Sequence, residues 1–134
     1  MSALRLSLSA PPRFRLLAVP VALGLLAVAI VHLIDGPGSL TDQFYVGALE
    51  LALGVACVPL AVLLLTRPVR LFWHATGALC TAALLVYIAS RTVGLPGSTD
   101  DIGNWFQTLG VLNVLFEAAV IALAALAVRR RVDR

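Results

Sequence analysis

Leu16 to Ile34 reads LLAVPVALGLLAVAIVHLI, broken only by Pro20, Gly24 and His32. A helix that crosses a bilayer needs about 20 mostly apolar residues, and this run supplies them. Three further stretches do the same. One runs from about Phe44 to Thr66 and carries Glu50 and Pro59, and the next runs from Leu71 to Val93. The last runs from about Asn104 to Val128 and carries Glu117. The reading is all-α, an integral membrane four-helix up-down bundle. It forms a single transmembrane domain over 1–134, with spans of about 16–35, 44–66, 71–93 and 104–128.

Composition agrees. Of 134 residues, 60% are hydrophobic and 13% charged, where soluble domains average about 45–50% and 25%. A soluble globular domain, a disordered tail and a nucleic-acid module are excluded. All ten basic residues are arginine, and the formal charge of +3 is too small and too scattered for a nucleic-acid partner. Membrane lipid is the expected surrounding.

The joints are turn chemistry. Asp35-Gly-Pro-Gly-Ser39 and Gly94-Leu-Pro-Gly-Ser98 read as helix stops, and Ser98, Thr99, Asp100 and Asp101 offer caps before the fourth span. Thr66-Arg-Pro-Val-Arg70 is very short, so spans two and three are expected to form a tight antiparallel hairpin.

Arginine sets the orientation. Arg5, Arg13 and Arg15 precede span one, Arg67 and Arg70 separate spans two and three, and Arg129, Arg130, Arg131 and Arg134 follow span four. Only Arg91 falls on the other side, with Asp35, Asp42, Asp100 and Asp101. The positive-inside rule makes the arginine side cytoplasmic, which places both termini in the cytoplasm and the chain in the plasma membrane. Ala27-Val-Ala29 loosely resembles a signal-peptide cleavage site, but the apolar run continues through Ile34, which is long for an h-region.

Ionisable residues at membrane depth carry a functional hypothesis by default. The candidate ligand- or proton-binding residues are His32, Glu50, Tyr87, Arg91, Asn113 and Glu117. At about 1.5 Å per residue, Glu50 lies roughly 9 Å below the outer edge and Glu117 near mid-membrane, with His32 and Arg91 within a turn of the surface. Gly47, Glu50, Gly54, Cys57 and Ala61 form one stripe of mostly small residues, and Thr76, Cys80, Ala83, Tyr87 and Arg91 form another. The stripes are expected to face each other or the bundle centre, with Glu50 accepting from Tyr87 or pairing with Arg91. Asn113 is placed to hydrogen-bond Glu117. His32 is expected to bond Glu50, an outer aspartate or water.

His32 and His74 differ in depth by roughly 20 Å, too far for one haem iron. No cofactor, metal or catalytic constellation is expected. The mid-membrane cysteines read as small buried thiols, and Ser90 has no histidine base at its level.

Ser90-Arg-Thr-Val-Gly-Leu-Pro-Gly97 followed by Asp101-Ile-Gly-Asn-Trp-Phe106 resembles a loop of small four-helix membrane proteins of high-GC Gram-positive bacteria. The resemblance implies a fold and a source and transfers no catalytic residue. It puts Arg91 where an outer loop folds back, able to bond Glu50, the Asp100/Asp101 pair or loop carbonyls and so clamp that loop over the bundle mouth. Two functions are then in contention. One is a structural or accessory role, packing through small-residue stripes against a second copy or a larger membrane complex. The other is an outward-facing bundle that binds a small solute, proton or ion. Convergence of the polar residues on an accessible cavity would favour the second.

Overall fold

In a computed structural model of the chain, which describes residues 12–129, four helices carry almost everything. They are α1 (Pro12–Asp42), α2 (Phe44–Thr66), α3 (Arg70–Thr92) and α4 (Thr108–Val128). All four are long and apolar enough to cross a membrane. Their outward faces are what lipid requires. Leu16, Leu23, Ile30, Leu49, Leu71, Leu85 and Leu115 are all exposed, whereas Glu117 is fully buried.

The first helix runs seven residues past the limit expected at 35. Gly36-Pro37-Gly38 is not a turn but helix interior. Proline is tolerated inside apolar helices when neighbouring elements re-satisfy the freed backbone, and here α2 lies directly against it. The glycines serve approach rather than reversal. A Cβ on Gly47 would stand 2.2 Å from the Leu40 backbone nitrogen and 2.7 Å from the Gly36 carbonyl oxygen. Further along, a Cβ on Gly54 would stand 3.2 Å from the Ala29 carbonyl oxygen. The backbones therefore pack at glycine distance along the pair, as small residues permit in membrane helices. The chain reverses at Gln43 alone. Its N–H donates to the Ser39 carbonyl at 2.8 Å, and its own carbonyl accepts from Val46 at 3.0 Å.

The tight hairpin is thus α1–α2, not the α2–α3 pair expected from the short Arg67–Val69 link. Around the bundle the order is α2, α1, α4, α3, with α2 and α3 touching only sparsely. Burial shows where they part. Leu64, Ala61 and Cys57 on α2, and Trp73, Thr76 and Cys80 on α3, are buried. Beyond the cysteines, Ala56 and Ala52 on α2 and Ala82 and Val86 on α3 are exposed. The small-residue stripes accordingly pack on α1 and α4 rather than on each other. Gly47 and Gly54 take α1, while Gly110 lies under the Tyr87 ring and Gly77 meets Ala124.

At the other end the bundle is sealed. Phe14 and Trp73 stack at 5.6 Å between centroids, and Arg70 donates to His74 Nε2 at 3.3 Å. Arg15, Arg67, Arg70 and Arg129 all lie at this end. Arg5, Arg130, Arg131 and Arg134 fall outside the described residues.

Candidate functional site

The segment 93–107 roofs the open end. Leu95 and Ser98 exchange backbone hydrogen bonds, both 2.8 Å, across Pro96-Gly97. Gly97 adopts φ +72°, the left-handed geometry that a proline-led turn demands of its third residue. Two side chains from the start of α2 hold this turn. Gln43 Nε2 donates to the Gly97 carbonyl, and the Tyr45 hydroxyl donates to the Pro96 carbonyl at 2.6 Å. From α3, the Tyr87 hydroxyl reaches the Trp105 carbonyl at 3.3 Å, and the two rings meet edge to face at 6.3 Å. Ser98 to Asp101 do not cap α4. The helix starts later, at Thr108, after Gln107.

Arg91 fastens the roof from below. It is 6% exposed, and its Nη2 donates to Gln107 Oε1 at 2.8 Å. It forms an ion pair with Asp101, and its guanidinium lies 4.8 Å from the Tyr87 ring centroid. The Arg91 carbonyl accepts from Gly103 at 2.9 Å. The clamp anticipated from the sequence is present, with Asp101 and not Glu50 as the anionic partner.

Beneath the roof, between α2 and α3, lies a cavity of about 460 Å³. This is within the range of about 300–1,000 Å³ common to small-molecule sites. α1 and α4 form its back wall. Its lower part is apolar, with Leu53, Ala56, Leu79 and Ala83 among its walls. Its polar lining is Asp35, Glu50, Tyr87 and Arg91 near the roof, with His32 and Asn113 deeper. Five of the six candidate residues, all but Glu117, therefore face one space, along with Asp35. Several lining residues (Leu49, Ala52, Ala56, Ala82 and Val86) are themselves exposed, so the cavity opens sideways between the two parted helices.

Glu117 sits behind that wall. Asn113 Nδ2 donates to Glu117 Oε1 at 2.9 Å and approaches His32 Nε2 at 3.1 Å. His32 Nε2 is 3.4 Å from the same carboxylate oxygen. The expectation that His32 lies near the surface and bonds Glu50 or an aspartate is corrected. With α1 extended to Asp42, His32 lies ten residues below the helix end, or about 15 Å, and reaches the level of Glu117. The anticipated Asn113–Glu117 bond is made.

Glu50 neither accepts from Tyr87 nor pairs with Arg91, as both are engaged with the roof. Its Oε2 is buried without a hydrogen-bond partner. The Asn113 Oδ1 and Glu117 Oε2 atoms share that condition. Cys57 and Cys80 are free and buried. Among the described residues, no group of three or more His, Cys, Asp or Glu side chains is arranged to hold a metal ion.

No family model, curated protein or solved structure matches this chain.

Proposed function

We propose that this chain is a multi-pass protein of a bacterial plasma membrane, with both termini cytoplasmic, that holds a small amphipathic solute in the outward-facing half of its bundle. The observation that carries the reading is the cavity between α2 and α3, apolar below and polar above, into which Glu50 turns an unpartnered buried oxygen. A buried polar atom without a partner costs about 1–3 kcal/mol, and a bound molecule that supplies the missing hydrogen bond recovers that cost. Lateral opening suits a solute that partitions into lipid.

The accessory reading draws less support. One of its grounds is small-residue stripes suited to helix association, and Gly47, Gly54, Gly77 and Gly110 are all occupied by helices of the same chain.

Cysteine accessibility tests the reading. In a background with Cys57 and Cys80 replaced by alanine, Ala83→Cys places a thiol on the cavity wall, and Leu85→Cys places one on the exposed outer face of the same helix. A membrane-impermeant methanethiosulfonate added outside intact cells is expected to modify the first and spare the second. Equal, slow modification of both would overturn the cavity reading in favour of a packing role. Modification from the cytoplasmic face alone would reverse the orientation.

A further inference from the structure

The polar end of the cavity holds several buried hydrogen-bonding groups, some engaged and some not. Arg91 spends its guanidinium on Gln107, Asp101 and the Tyr87 ring, Tyr87 spends its hydroxyl on Trp105, and Asn113 spends its amide nitrogen on Glu117 and His32. Glu50 Oε2 and Asn113 Oδ1 are buried acceptors without a hydrogen-bond partner, and Arg91 Nε is a buried donor without one, while Arg91 Nη1 is held by the ion pair with Asp101. Asn113 is 5% exposed, so water does not freely supply the missing donor.

Charge at this end is uneven. Asp35, Glu50 and Asp101 surround the space, with Arg91 as the one guanidinium among them. Arg91 is paired with Asp101, which leaves Asp35 and Glu50 uncompensated. His32, the remaining basic group, is turned toward Asn113 and Glu117. Low-dielectric walls strengthen the field of such an imbalance.

We infer that the solute is a lipophilic ammonium, a primary or secondary amine in its protonated form on a compact apolar body. This rests on the solute-binding reading above and names its chemical class. The ammonium donates one N–H to Glu50 Oε2, and its apolar body lies along Leu53, Ala56, Leu79 and Ala83. A quaternary ammonium supplies the charge without the N–H, a neutral alcohol supplies one weaker donor without the charge, and a carboxylate supplies neither.

Those contrasts make the test. The full chain is placed in phosphatidylcholine nanodiscs and titrated calorimetrically with n-octylammonium, n-octyltrimethylammonium, 1-octanol and octanoate, with empty discs subtracted. Saturable one-to-one binding of n-octylammonium is expected, with the other three weaker. Loss of a charge-assisted hydrogen bond corresponds to about a ten- to hundredfold change in affinity. Glu50→Gln, close in shape, is expected to weaken n-octylammonium by that factor, while Glu50→Asp, which keeps the charge, loses less. Ala83→Trp, which fills the cavity, is expected to abolish binding. If 1-octanol or octanoate binds as tightly as n-octylammonium and Ala83→Trp abolishes both, the ammonium assignment is overturned while the cavity reading stands. If n-octylammonium binds no better than to empty discs, the assignment also fails, and the accessibility of Ala83→Cys judges the cavity separately.

Discussion

His32 and Glu117, 85 positions apart in the chain, face each other across the α1–α4 contact with Nε2 and Oε1 3.4 Å apart. Asn113 completes the contact, using one amide nitrogen on both partners. In an apolar bundle such a cluster fixes the register of two helices, because sliding either by a turn strands a carboxyl group in hydrocarbon.

Asn113→Ala removes both amide contacts and leaves Glu117 with His32 alone. Hydrogen bonds between membrane helices contribute about 0.6 kcal/mol on average and up to about 1.7, so a loss of about 1–2 kcal/mol is expected for the two. Equilibrium unfolding in mixed micelles measures it. Wild-type stability for Asn113→Ala would mean that the cluster does not hold α1 to α4.

Gly47→Ala should weaken the α1–α2 hairpin, and Gly38→Ala should not. The added methyl at Gly47 meets Leu40 and Gly36 backbone atoms, which cannot move aside as a side chain can. Overpacking of this kind costs about 1–3 kcal/mol. At Gly38 nothing lies within 4 Å of the new carbon, and alanine there is expected to stabilise by about 0.4–1 kcal/mol through the unfolded chain. The same unfolding assay separates the two, and equal effects would be inconsistent with close backbone packing at Gly47.

Arg91→Lys should loosen the roof while leaving α3 in place. A lysine ammonium cannot match the planar fork that serves Gln107, Asp101 and the Tyr87 face together. Faster amide exchange is expected across 93–107, by about tenfold for the loss of one net hydrogen bond of about 1.4 kcal/mol, with unchanged exchange in α1 and α2. Hydrogen exchange read by mass spectrometry checks this, and uniform acceleration through all helices would assign Arg91 a global rather than a local role.

Tyr45→Phe deletes the hydroxyl that donates to the Pro96 carbonyl and keeps the ring. Exchange at Leu95 and Ser98, whose amides close the Pro96-Gly97 turn, should quicken by less than in Arg91→Lys, since Gln43 still holds Gly97. If the order of the two variants is reversed, the roof hangs from α2 and not from Arg91.

The number of helices, their apolar character and the grouping of polar residues toward one end were all readable in the chain, because about 20 apolar residues in a row have few alternatives. The first connection was not. Gly36-Pro37-Gly38 carries every local mark of a turn, and only the presence of α2 alongside explains why it stays helical. That one difference propagated. Ending α1 at Asp35 put His32 near the surface, and ending it at Asp42 puts His32 beside Glu117. The short Arg67–Val69 link implied proximity of α2 and α3, and it holds at their linked ends alone. Link length says nothing of divergence further along, which is set by how closely Gly47 and Gly54 draw α2 to α1 and Gly110 draws α4 to Tyr87. Arg91 was readable for a simpler reason. A single guanidinium among aspartates has few partners to choose from.

Gln43 is the entire link between α1 and α2, and this bears on biogenesis. A linker of one residue has no slack to wait in solvent while its second arm is still being synthesised. Within a bilayer, α1 and α2 would enter as a preformed pin, its tip leading and its backbone already mated through Gly36, Gly47 and Gly54. Lengthening the tip with a few flexible residues would uncouple the arms and let each commit to a topology on its own. The shortest joint between the described helices thus ties the placement of α2 to that of α1.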